Sequence, residues 1–247
     1  MSGPSRPDLP DIVQSRLVAE WLAGARGRLL RRAQVGRRAS VLEVGCGHGL
    51  VTEELIRRAP GAVVCVDRVI EPAAHVRSLG ARLVAADAAR LPFPDGTFDL
   101  AFCQNVLLWV GDAELAVREL ARALQPGGVL VALEPDFGGM MEHPPQVALR
   151  DLWLRGLRQA GANPEIGRAL PGTCEAAGLD TWVELQPIPQ PATPEAVHLL
   201  ADLSLSDEDA ARLRRVEEAI AARTGKWSVF VHVPYVLVVA TKPSRPS

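Results

Sequence analysis

The sequence predicts an α/β fold, a parallel sheet with helices on both faces. Four apolar, β-rich runs, SVLEVG, AVVCVD, ARLVAAD and FDLAFC, alternate with helix-like segments such as LVTEELIRRA and EPAAHVRSL, the pattern of successive βαβ units. The first run ends in a glycine-rich turn, GCGHG, of the kind that lets a strand bend sharply into a helix. The 247 residues, 48% hydrophobic, can bury one full core and fit one α/β domain with insertions.

In chain order, Val13, Leu17, Trp21, Leu22, Ala25 and Leu29 recur at spacings of three and four and predict an amphipathic helix over residues 12–33 that packs on the main domain. Residues 1–39 are thus expected to form an N-terminal helical cap. The four strand units follow from residue 40, and a fifth combines a helix across residues 112–124, the turn QPGG and the strand VLVALE. Beyond Pro135, FGGMMEHPPQ reads as loop, residues 147–159 as a helix, and IGRALPGTCEAAGL as a helix closed by Gly178. TWVELQPIP and WSVFVHVPYVLVVAT read as the two final strands. Between them, residues 189–226 supply two helical stretches, one capped at Thr193 before Pro194, the other at Ser206 with Asp209 three residues on. The main domain is expected over residues 40–242, with insertions at 137–162 and 189–226, and residues 243–247 as a disordered tail.

Composition excludes several functions. With 29 acidic against 27 basic residues and a formal charge of −2, no global field attracts nucleic acid or an anionic membrane, which points to a small-molecule partner and leaves a homodimer open. Arg26, Arg28, Arg31, Arg32, Arg37 and Arg38 lack interleaved acids or aromatics and read as a solvated helix face. The four cysteines are spread without a CxxC pair, which fits a reducing cytoplasm. No apolar run reaches the roughly 18 residues that span a bilayer, and MSGPSRPDLPD has no apolar signal core, so a soluble, cytoplasmic protein is expected. No metal-ligand spacing, GxSxG turn or GxxxxGK[ST] loop is present, and no metal is expected.

The chemistry concentrates in LEVGCGHGL. Gly45, Gly47 and Gly49 form a GxGxG turn between strand and helix, where a ligand can approach bare main chain. A GxGxxG dinucleotide fingerprint would need glycine at Leu50, or glycine or alanine at Thr52, and neither position complies. The next strand ends in Asp67, about 20 residues on, where a carboxylate can hold both hydroxyls of a ribose. The third ends in Asp87, which can accept from an exocyclic amine while the Ala88 amide meets a ring nitrogen.

With LEVGCGHG, Asp67, ADAARLPFPDGTFDLAF and LQPGGVLV in this order across residues 41–134, the sequence resembles the class I S-adenosylmethionine-dependent methyltransferases, in particular the small-molecule branch that includes quinone-biosynthesis C-methyltransferases. The resemblance implies a Rossmann-like fold whose seven-stranded, mostly parallel sheet ends in an antiparallel strand. It implies S-adenosyl-L-methionine as cofactor and S-adenosyl-L-homocysteine as product. Glu43 and the turn Gly45, Cys46, Gly47 and Gly49 would hold the methionine end, Asp67 the ribose, and Asp87 with Ala88 the adenine, with Gln104 and Asn105 closing the site. Arg68, directly after Asp67, departs from the pattern, and its long side chain is expected across the adenine edge.

Ligands in an open parallel sheet bind beyond the strands' C-terminal ends. At that edge Trp109, Phe137, Met140, Met141, Trp227 and Phe230 would line an apolar acceptor chamber, with Asn105, Asp136, His143 and His232 as polar points, and the 189–226 insertion as a lid. Histidine suits the removal of a proton near neutral pH, so His143, oriented by Asp136, is the expected base, the alternatives being His232, Asp136 or Glu142, or catalysis by positioning alone. The expected function is methylation of a small organic metabolite at oxygen, nitrogen or carbon. The alternatives are a catalytically silent cofactor-binding relative and an RNA methyltransferase using the arginine cluster.

Overall fold

A computed structural model describes residues 12–144, 149–186, 203, 205–222, 224–225 and 227–244. Its centre is a seven-stranded sheet in the order β3-β2-β1-β4-β5-β9-β7. The strands are β1 (Ser40–Val44), β2 (Ala62–Asp67), β3 (Arg82–Ala85), β4 (Phe98–Gln104), β5 (Leu124–Pro135), β7 (Asp180–Leu185) and β9 (Tyr235–Thr241). Only β9 runs against its neighbours, pairing antiparallel with both β5 and β7. Its register sets Tyr235 opposite Pro135 and Val236 opposite Glu134, so the start of β9 lies beside the end of β5.

The central strands are apolar at nearly every position because both faces are covered. In β4, Ala101 and Cys103 join one core with Val117 and Leu120 of α3 (Ala113–Ala123), Leu152 of α4 (Leu149–Gln159) and Leu170 of α5 (Ile166–Ala176). Leu100 and Phe102 join the other, with Leu22, Ala25 and Leu29 of α1 (Ile12–Arg32) and Leu55 of α2 (Leu50–Arg58). A period of two on the strands thus meets helical stripes on each side.

Several segments differ from expectation. Residues 71–77 wind as a 3₁₀ turn, not an α-helix. The QPGG turn is absorbed into β5 as an irregularity, where pairing steps from Phe98–Leu124 to Leu100–Val129. The loop FGGMMEH instead holds a 3₁₀ turn and a short strand, β6 (Met141–His143), antiparallel to β8 (Phe230–His232). The expected single last strand is therefore two, β8 and β9, divided at Pro234, which has no N–H for a ladder and whose carbonyl accepts from Asp136 N at 2.8 Å. On α1, Val13 and Leu17 stay exposed, and the buried face belongs to the helix's second half. In the 189–226 insertion, α6 (Asp207–Ala221) forms with Ser206 Oγ accepting from Asp209 N at 3.1 Å; the expected cap at Thr193 lies outside the described residues. Most of the expected tail, residues 245–247, lies outside them too.

Candidate active site

The sheet order reverses between β1 and β4, and the segments leaving these strands meet there. Gly45, Gly47 and Gly49 have φ of 75°, 50° and 73°, which favour glycine. A Cβ on Gly45 would lie 2.2 Å from Val106 Cγ2, so its absence also lets the two segments close together. After β4, Asn105 adopts φ 57°, and its N–H donates to Leu133 O at 3.0 Å. The Gly47 N–H donates to Asp67 Oδ2 at 2.9 Å, tying the glycine turn to the end of β2.

Two buried carboxylates underlie the site. Glu43 on β1 accepts from the Thr52 hydroxyl and, at 3.7 Å, from the Cys65 thiol; burial outweighs both and pushes its pKa up to about 7. Glu134 at the end of β5 accepts from the N–H groups of Val106 and Leu107 at 2.9 Å and of Leu108 at 3.4 Å, and burial again raises its pKa to about 7. It thereby fixes the 3₁₀ turn that presents Leu108 and Trp109.

These elements enclose a cavity of about 240 Å³. Of the expected residues, Glu43, Gly45, Cys46, Gly47, Gln104, Asn105, Trp109 and Phe137 line it. Gly49 stands beside it as the N-cap of α2, where a Cβ would meet Val76 at 2.7 Å. Asp67 reaches the turn through Gly47, whereas Asp87 and Arg68 are exposed and Ala88 is buried outside the enclosed volume. Asp87 Oδ1 accepts from Ala89 N at 2.8 Å.

The remaining residues are not brought to the cavity. Met141 and Trp227 are about half exposed and Met140 is packed in the core. Phe230 is paired with His143 in the β6–β8 ladder, and His143 itself is exposed. His232 is buried, lies edge-on to Trp21 at 6.5 Å, and has its pKa lowered by burial. Asp136 does not orient His143, because both its oxygens accept from Arg168 Nε at 2.9 Å. The β6–β8 ladder is the physical reason: a loop free to turn these side chains inward is instead committed to strand geometry.

In their place the cavity is walled by Trp153 and Leu157 of α4, Leu203 of the insertion, and Tyr235 at the start of β9. Phe137 stacks on Trp153 at 4.9 Å. From α1 come Gln14, Ser15, Val18 and Ala19. Trp153 could have been found in the sequence as the aromatic of a helix predicted within a substrate-side insertion, and Tyr235 as the first residue of a strand starting at the ligand edge.

The arginine cluster is only partly a solvated face. Arg26 is buried, ion-paired to Glu54 at 2.7 Å, and its Nη1 donates to Gln104 Oε1 at 3.1 Å and Ala19 O at 3.0 Å. Arg28 pairs with Glu184 at 2.5 Å, Arg32 lies 3.9 Å over the Trp182 ring, and Arg38 donates to Ala33 O. Among the described residues no His, Cys, Asp or Glu cluster could hold a metal, and no helix is long and apolar enough to cross a membrane.

Comparison with known proteins agrees with this architecture. Residues 42–132 match the family model described as a methyltransferase domain. Over 142 residues the chain is 35% identical to trans-aconitate 2-methyltransferase of Paracidovorax citrulli, covering 54% of each chain. Over 101 residues it is 41% identical to demethylmenaquinone methyltransferase of Thermus thermophilus, covering 38% of this chain and 46% of that one. The chain therefore spans about half the length of these curated relatives. The crystal structure of the YcgJ protein of Bacillus subtilis superposes with a TM-score of 0.66 at 16% identity, covering 90% of this chain and 99% of the other. Residues 42–132 are thus similar to a methyltransferase domain, and the fold is that of the superposed structure.

Proposed function

We propose that this protein transfers a methyl group from S-adenosylmethionine to a small organic molecule. The observation that carries the reading is the cavity at the sheet's reversal point, walled by bare backbone of a left-handed glycine turn over a buried carboxylate and tied to the ribose-type aspartate on β2. The residues fit the cofactor's parts. Gly45, Cys46 and Gly47 with Glu43 would receive the methionine end, Asp67 the ribose hydroxyls, and Asp87 and Ala88 the adenine, with Arg68 along its open edge. On this reading residues 1–39 cap the domain spanning 40–242, and the insertions at 137–162 and 189–226 cover the acceptor.

S-adenosylmethionine supplies an electrophilic methyl on a sulfonium sulfur and departs as a neutral thioether. The protein's part is to hold the acceptor in line with that methyl and to keep water out. Trp109, Phe137, Trp153 and Leu203 serve that exclusion, and a low-polarity wall favours a step in which the concentrated charge of the sulfonium is dispersed. Since His143, Asp136 and His232 do not line the cavity, the rate is assigned to positioning. His143→Ala is then expected to keep turnover within about threefold of the parent, whereas a loss of about 100-fold would restore the base. Incubation with methyl-labelled cofactor and a metabolite extract tests the function itself: a labelled small product is expected, and no product from cofactor-binding protein would favour the silent relative.

A further inference from the structure

Resting on this reading of the cavity, we infer that the acceptor is an uncharged molecule with an apolar, ring-bearing body and one O–H or N–H donor that meets Asn105 Oδ1. The first ground is charge. Among the described residues no arginine or lysine lines the cavity, and its acidic residue, Glu43, and its histidine, His48, sit with the glycine turn. In the complex with the product thioether, an anionic acceptor would give up hydration with no arginine or lysine of the described lining to offset it. The Arg26 guanidinium, which reaches the lining residues Ala19 and Gln104, is already held by Glu54, Ala19 O and Gln104.

The second ground is an unmet acceptor. Asn105 lines the cavity, and its Oδ1 is buried without a hydrogen-bond partner. The left-handed backbone explains why asparagine or glycine stands here, but not why an amide oxygen is buried and left over. Tyr235 does not take that oxygen. Burial first, and then the nearby Glu134 carboxylate, hold its phenol well above the usual range, while the Asn105 side chain acts in the opposite direction, as an amide N–H donating to the phenol oxygen does. The Asn105 carbonyl oxygen thus remains for a ligand donor. The third ground is the shape of the walls: Phe137 stacked on Trp153, with Trp109 and Leu203, suits a flat apolar body.

Calorimetry on the full chain saturated with S-adenosylhomocysteine tests this with 2-naphthol, 2-methoxynaphthalene, 2-naphthoate and trans-aconitate. Binding of 2-naphthol at least about tenfold tighter than its methyl ether and than either anion is expected, because each lesser ligand leaves the buried oxygen unmet or brings an uncompensated charge. Asn105→Gly, which keeps the backbone conformation, should abolish the preference of naphthol over its ether. Equal binding of naphthol and ether to the parent, tighter binding of an anion, an unchanged preference in Asn105→Gly, or binding of none of the probes would overturn the inference while leaving the methyltransferase reading intact. Failure of S-adenosylhomocysteine to bind would instead remove that reading, and this inference with it.

Discussion

Glu134 is a residue whose burial has a measurable cost. It is fully buried, receives three backbone donors, and is held near pKa 7 by desolvation, as is Glu43. Between about pH 4.5 and 7 the folded chain keeps protons that the unfolded chain has released, so stability falls as pH rises through that window and levels off above it. Glu134→Gln should remove its share of this slope. Relative to the parent, it is expected to gain roughly 2 to 4 kcal/mol on going from pH 5 to pH 8 in urea unfolding; parallel pH profiles would contradict the assigned protonation. Asp67 is the residue-scale test of the cofactor end. Asp67→Ala is expected to weaken S-adenosylhomocysteine binding by roughly 1.5 to 3 kcal/mol and Asp67→Asn by less, and unchanged calorimetric affinity would take Asp67 out of the site. Glu43, the glycines and Asp67 were legible because strand ends and glycine spacing are local features. Asn105 was legible in the same way, as the residue just after the fourth strand, whereas Glu134 owes its role to neighbours brought in by the fold, which a pattern of types does not display.

Among elements, α1 shows how composition can mislead. Its arginines look like a solvated face, yet Arg26 turns inward and joins α1 to α2 through Glu54 and to the end of β4 through Gln104. Arg26→Ala should destabilise the fold by about 2 to 4 kcal/mol, below the full cost of an uncompensated buried charge because Glu54 keeps some access to water, and Arg26→Lys should restore only part, since one ammonium cannot serve three partners on three elements. Urea midpoints measure both; a neutral alanine variant would mean that α1 is held by its apolar stripe alone. The break at Pro234 was visible in VFVHVPY as a proline inside an apparent strand, whereas β6 was hidden because three residues make a strand only once β8 is beside them. Lining the cavity, α4 meets α6 through Arg155 and Asp209 at 2.6 Å, and its Gly156 leaves room for Leu203. As a cover, residues 149–159 and 205–221 should exchange amide hydrogens more slowly once cofactor product and acceptor are bound, and identical exchange in binding-competent protein would argue against gating.

For the whole molecule, strand order does what no single motif does. The reversal between β1 and β4 sets the glycine turn against Asn105, and the antiparallel β9 returns Tyr235 to the same edge from more than a hundred residues away. The parallel core was readable from its alternating runs, and the glycine-turn side of the cavity, with Trp109 and Phe137, from its ordered motifs, but the rest of the wall was not, because it is assembled from α1, α4, the insertion and β9, each of which reads alone as ordinary packing. If this assembly is a methyl-transfer site it must hold the product, which calorimetric titration of the intact chain with S-adenosylhomocysteine measures. Saturable one-to-one binding that weakens in Asp67→Ala is expected; folded protein that does not bind would not be a methyltransferase of this kind.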